Sequence, residues 1–298
     1  MNGITNVEPG VHPALPNGVY HASVGVSKTG LCRIARAPLV FRDAIDNPVP
    51  KKSSRALVTG SVFHIVMEGA FERDCAVSPE VEDKRQKEWK DFVKGSPGKI
   101  CITPGEAREV FRMREALLSY GPAGDLLTQP GLFECSYYWN DPLTGLLCKC
   151  RPDWISANQL TIIDFKTCQD ATESAFVRAA ERYHYHVSAA MTIDGVYAIT
   201  GIKPERYIFL AIEPQSPHLT AAYEATEDDI ELGREFIRRS LSTLKRCQLN
   251  GTWPGLPEEI RALDVQRYAR RYERSDHESS PNENEEEISD EASGEWWE

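Results

Sequence analysis

The chain has 298 residues, 41% hydrophobic and 27% charged, a balance that suits a globular body of one large domain or two small ones and excludes a fibrous or wholly disordered chain. It has no apolar run of about 18 residues, and its N-terminus, MNGITNVEPGVHPALPNG, lacks a basic-then-apolar pattern. Neither membrane insertion nor secretion is expected, and the cytoplasm is the expected compartment. The net charge of −11 is concentrated at one end: ten acids and no Lys or Arg follow Ser275, so the rest is close to neutral and a polyanionic partner is not excluded.

Residues 1–18 are rich in Pro, Gly and Asn and are expected to be flexible. In VYHASVGVSKTGLCRIARAPLVF, Ser27 or Thr29 can cap a short helix through Ile34 and Ala35, with Pro38 as its stop. In KKSSRALVTGSVFHIVMEGAFER, the apolar residues from Ala56 to Ala70 recur at three- and four-residue steps and predict an amphipathic helix. A charged segment follows, with a helix expected around Lys84 to Val93; Thr103 and Glu106 then form a capping-box pattern for a helix towards Leu118. From Leu132 three strand-like runs, FECSYYW, LLCKCRPDWI and LTIIDFKT, are separated by turn residues and predict an antiparallel meander.

Phe176, Ala180, Tyr183, Val187, Ala190 and Met191 outline a helical stripe, RYIFLAIE (206–213) reads as a strand, and Thr226 opens a helix with acids first and bases last. The expected organisation is a flexible 1–18, one domain over 19–274, and an acidic, disordered tail over 275–298 that ends in Trp296 and Trp297. Eight scattered cysteines read as reduced thiols. Cys148 and Cys150 share one strand face, but no second close pair completes a four-ligand metal site. The order of elements predicts an α/β or α+β body in which helices cover a central mixed sheet.

The chemistry is expected on that sheet. Strand alternation puts Asp164 and Lys166 on one side, and a hairpin across SANQ brings Asp153 near Asp164. Two close carboxylates repel unless a cation lies between them, and oxygen ligands suit a hard ion such as Mg²⁺, with Mn²⁺ as the alternative. Lys166 then stands where it can orient or deprotonate a water that attacks a phosphodiester. Asp-x-Lys alone is also an ordinary surface ion pair. Glu134 on the first run supplies a third carboxylate, and His64, which alone would be a core histidine, becomes a candidate ligand.

Arg55, at the start of the His64 helix with Ser61 nearby, is a candidate clamp for a 5′-terminal phosphate. The chain has no G-x-x-x-x-G-K-[ST] loop, so ATP-driven helicase work is not expected.

GSVFH, ECSYYWNDPLTGLLCKCRPDWI, IIDFKT and RYHYHVSAAMTIDG resemble, in order and spacing, the nuclease core of the exonuclease VIII (RecE-type) family of the PD-(D/E)XK superfamily, from about Tyr20 to about Trp253. The resemblance implies a restriction-endonuclease-like core and a Mg²⁺-dependent exonuclease that degrades duplex DNA from 5′ ends to leave 3′ single strands for recombination by annealing. By this similarity His64, Asp153, Asp164 and the Phe165 carbonyl match the metal positions, Glu134 the acid beside them and Lys166 the catalytic lysine, with Thr167 following.

It further implies a ring of three or four copies threaded by DNA ends, a RecT-type single-strand annealing partner, and a phage or prophage source. Two positions depart from the family pattern. Its helical Gln and Tyr are here Ser188 and Thr192, with His186 a candidate to compensate. The other readings to carry are an endonuclease or RecB-like nuclease of the same superfamily, and a non-catalytic DNA-end binder or recombinase scaffold.

Overall fold

A computed structural model describes residues 6–49, 54–79 and 81–263. The segment expected to be flexible already carries order: β1 (Gly10–His12) pairs with a later strand, and α1 (Asn17–Ala22) follows. α2 (Lys28–Arg36) stops at Ala37, and Pro38 opens α3 (Pro38–Asp46) rather than only closing its predecessor. A proline suits the first helical position, because its missing N–H would have no partner there. α4 (Arg55–Glu68) is capped by the Ser54 side chain, which accepts from the Leu57 amide, and it is closed by Gly69 in the left-handed region at φ 78.

Next come α5 (Phe71–Asp74), β2 (Cys75–Val77), α6 (Lys87–Gly95) and β3 (Ile100–Ile102), with β2 and β3 forming a small parallel ladder. The Thr103–Glu106 capping box is formed at the start of α7 (Pro104–Ser119), and α8 (Gly121–Leu127) follows.

The three strand runs expected as one meander divide differently. The first gives β4 (Gly131–Phe133) and β5 (Ser136–Asn140), the second β6 (Leu147–Cys150) and β7 (Trp154–Ser156), and the third is unbroken as β8 (Thr161–Thr167). The predicted single stripe is two helices, α9 (Glu173–Tyr183) and α10 (Tyr185–Thr200), divided at His184, whose φ is 55. β9 (Arg206–Ile212) and β10 (Thr220–Glu224) precede α11 (Glu227–Asn250), which opens on a second capping box between Thr226 and Asp229.

One sheet has the order β10-β9-β8-β7-β4, parallel only between β8 and β9, and the other has the order β1-β5-β6. β4 therefore belongs to one sheet and β5 to the other, and the same split separates β7 from β6.

Alternation along β8 and β9 assigns two buried faces. Ile162, Tyr207, Phe209 and Ala211 pack with Val187, Ala190 and Met191 of α10 and with Leu241 and Leu244 of α11. Ile163, Phe165, Ile208, Leu210 and Ile212 pack with Val62, Phe63 and Val66 of α4 and with Val110 and Met113 of α7. Cover on both faces explains the almost continuous apolar reading of β9. α10 and α11 approach backbone to backbone: a Cβ at Gly233 would stand 2.3 Å from the His186 carbonyl oxygen.

The compact body ends at Gly255, and residues 256–263 carry no helix or strand. All eight cysteines are free thiols, with Cys148 and Cys150 buried. Among the described residues no helix is long and apolar enough to cross a membrane. The acidic tail with Trp296 and Trp297 lies outside the described residues.

Candidate metal centre

The site is built where two neighbouring strands leave the main sheet. β4 pairs with β7 through Phe133↔Trp154, and β7 pairs with β8 through Trp154↔Ile163. One residue beyond those pairs, Glu134 turns away with φ 51, a conformation that L-residues adopt at a cost, while Asp153 joins β7 to the chain arriving from β6. The edge of β8 beyond Ile163 is thereby freed on this side, though β8 stays paired with β9 as far as Thr167↔Ile212. Asp153 takes the place of the missing strand: its Oδ2 accepts from the Phe165 amide at 2.7 Å, and its own carbonyl accepts from the Glu134 amide at 3.1 Å. The Phe165 carbonyl points to the same open edge, because both polar groups of a strand residue lie on one side.

α4 supplies the third group. A Cβ on Gly60 would lie 3.1 Å from Thr167 Oγ1, so that glycine lets the helix settle on the end of β8. One turn later His64 Nδ1 is 3.1 Å from Asp153 Oδ1, with its ring edge-on to Phe165 at 5.9 Å. One donor atom each from His64, Glu134 and Asp153 lie within 4.8 Å of one another. Burial first, and then the neighbouring Asp153 charge, push Glu134 up to about 7. Burial pulls His64 down, but the charge and hydrogen bond of Asp153 outweigh it and leave the imidazole raised.

Arg151 steadies Glu134. Its Nη1 is 3.7 Å from Glu134 Oε2, its Nε donates to Ser136 Oγ at 2.7 Å, and its guanidinium lies over the Tyr20 ring at 4.2 Å. An imidazole and two mutually repelling carboxylates are a donor set that fits a divalent cation.

The affiliation follows from comparison with known proteins. Residues 28–266 match the family described as a PDDEXK-like domain of unknown function (DUF3799). The chain belongs to this family. No curated protein matches its sequence significantly. A crystal structure from Eubacterium rectale, described as a candidate exonuclease, superposes with a TM-score of 0.56 at 13% identity, covering 82% of this chain and 92% of the other. With the family match, that likeness fits a PD-(D/E)XK fold. A second solved protein, SSO0001, aligns with a TM-score of 0.28 at 14% identity over 61% of this chain and 84% of its own, too loosely to bear on the fold.

Within this PDDEXK-like chain the expected residues divide into groups. Asp164 and Lys166 project from the other face of β8, where they pair with each other, and Asp164 Oδ2 accepts from the Tyr207 hydroxyl at 2.9 Å. The structure thus brings together His64, Glu134 and Asp153, and holds Asp164 on the lysine and a tyrosine. Burial is the main cause that brings Lys166 down to about 8, with Lys28 adding and Asp153 opposing. Its Nζ lies over the Tyr185 ring, 5.0 Å from the centroid. Ser61 is exposed on α4 one turn before His64, and Arg55 is about 9 Å further along the axis, paired with Glu109 at 3.0 Å.

His186 does not stand over Lys166. It lies on the α10–α11 seam, with ring contacts to His184 at 5.7 Å and Phe236 at 6.5 Å. The member of α10 that reaches the lysine is Tyr185. Sequence reasoning also missed Tyr207, whose signal was a lone hydroxyl in an otherwise apolar central strand, a group that needs a partner when buried. Thr192 works against the rise that burial imposes on the Tyr207 hydroxyl, so the position where the resemblance expected an aromatic acts on a tyrosine from the next strand. Tyr207→Phe keeps the ring and removes the donor to Asp164, and is expected to cost about 2 kcal/mol in urea unfolding. Unchanged stability would mean that the hydroxyl does not hold the carboxylate.

Proposed function

We propose that this PDDEXK-like protein is a Mg²⁺-dependent 5′-to-3′ double-stranded DNA exonuclease that produces 3′ single-stranded overhangs for recombination by strand annealing. The observation that supports it most is the meeting of His64, Glu134 and Asp153 at the open edge of β8, with Lys166 on the same strand end. His64, Glu134 and Asp153 would hold the ion, with the Phe165 carbonyl facing the same edge; Mn²⁺ fits the same donors. Bound there, the ion supplies charge stabilisation to the scissile phosphate.

The chain's own groups do the rest. Lys166, brought down to about 8, is partly neutral near physiological pH and takes the proton from the attacking water. Asp164 and Tyr207 fix the reach of its ammonium. Arg55 and Ser61 on α4, with Thr167 at the strand end, face the incoming strand. The polarity, a homo-oligomeric ring of three or four copies and a RecT-type annealing partner follow from the motif resemblance.

The test uses linear and closed-circular duplex DNA with Mg²⁺, comparing the wild type with Asp153→Ala. Loss of linear DNA alone, abolished in the variant, is the expected result. Nicked circles indicate an endonuclease, and retention without digestion indicates a DNA-end binder or recombinase scaffold.

A further inference from the structure

A column of stacked rings leads from the lysine to the surface. Phe209 and Tyr185 stack at 5.4 Å with planes 27° apart, and Tyr183 continues the column at 6.1 Å and 25°. Phe209 is buried, while Tyr183 is 51% exposed and forms the outer rim. Residues two apart do not face each other on a continuous helix. These two tyrosines stack because His184 between them is left-handed at φ 55, a backbone conformation that imidazole residues enter at a cost and that tends to occur at functional sites.

The rim is also basic. The Arg182 guanidinium lies 5.5 Å from the Tyr183 centroid, and the Lys28 ammonium donates to the Tyr183 carbonyl. Burial first holds His184 and His186 below the ordinary imidazole range; Lys28 adds at His184, and His184 followed by Lys28 adds at His186, with Glu181 opposing at both and Asp229 at His186.

We propose that Tyr183 is a stacking platform for an unpaired nucleobase next to the scissile phosphate, with Lys28 and Arg182 meeting the adjoining phosphates. The inference rests on the nuclease reading above. An aromatic face accepts any base, which suits an enzyme that must advance through every sequence, and flanking cations track the backbone without reading it. A terminal base held on Tyr183 is drawn off the duplex while its linkage stays beside Lys166, because the column joins the two. The guanidinium of Arg182 can leave the ring for a phosphate as the base arrives.

The experiment titrates the protein onto a blunt duplex carrying 2-aminopurine as its 5′-terminal base, with Ca²⁺ in place of Mg²⁺. Digestion of unlabelled linear duplex with Mg²⁺ is followed in parallel. The expected result is quenching on binding by the wild type, loss of quenching with about tenfold weaker binding in Tyr183→Ala, and recovery of both in Tyr183→Phe. A wild type that digests linear DNA while Tyr183→Ala binds and quenches as it does overturns the platform and leaves the nuclease reading standing. So does a wild type that binds without quenching, or a Tyr183→Phe as impaired as the alanine variant. A wild type that neither binds nor digests the duplex overturns both.

Discussion

Lys166→Ala is expected to lower hydrolysis of linear duplex DNA by about 10²–10⁴-fold, the range for loss of a positioned proton-transfer group. Its affinity for Mg²⁺ or Mn²⁺ is expected not to fall. The two faces of β8 carry different groups. His64, Glu134 and Asp153 are gathered without help from Lys166, whereas the ammonium pairs with Asp164 and lies over Tyr185. Removing it leaves those three donors in place, so the thermal shift produced by the ion should persist while turnover collapses. Asp153→Ala should do the opposite to binding, because Asp153 is the group bonded to both His64 and the Phe165 amide.

The pH dependence has a defined sign. Glu134, up at about 7, must lose its proton to ligate, so ion binding releases a proton below that pH and weakens as pH falls. Lys166, down at about 8, must lose its proton to act as a base, so turnover at saturating ion rises with pH towards 8. Isothermal titration in two buffers of different ionisation enthalpy measures the first effect, and a pH–rate profile measures the second. An alanine variant that keeps wild-type turnover would end the role given to this lysine.

What the sequence made legible was local. The Thr103–Glu106 box, the acids at the start of α11 and the helix at α4 each depend on residues within a few positions, and the structure carries all three, although the expected apolar stripe of α4 holds only over Val62, Phe63, Val66 and Met67, with Ala56 and Leu57 exposed. The candidate site was legible in part for the same reason: strand alternation separates Asp164 and Lys166 from Phe165 whatever lies around them.

The division of two strand runs between two sheets was not legible, because it depends on distant partners. β5 pairs with β1 from near the N-terminus, and Val26 bridges to Cys148 of β6. Glu134 could be identified as an acid on a strand, but not as the left-handed residue at which the chain changes sheets. β10 was silent because Thr220–Glu224 is a half-buried edge strand without clean alternation. The break between α9 and α10 was not legible either, because a single apolar stripe drawn through both does not register the left-handed residue His184.

Phe165→Ala is expected to have the largest effect on stability of any change near the site, about 3–5 kcal/mol in urea unfolding with chelator present. The side chain is 2% exposed, and its ring meets Phe63 edge-on at 6.0 Å and His64 at 5.9 Å. The cost therefore combines a core cavity with two lost aromatic contacts, each of about 0.5–1.5 kcal/mol. Its functional consequence follows from where the ring stands. The Phe165 amide holds Asp153, and that bond survives the substitution because it belongs to the backbone. The ring bears on His64, so the alanine variant leaves the carboxylate in place and frees the imidazole. Divalent-ion affinity should then fall about tenfold, the lower end for losing a group that orients a ligand. Phe165→Leu refills much of the cavity without restoring an edge-on partner for the imidazole. It should recover most of the stability and less of the affinity. If the alanine variant bound the ion as tightly as the wild type, α4 alone would be sufficient to aim His64, and the packing of Phe165 would serve only the core.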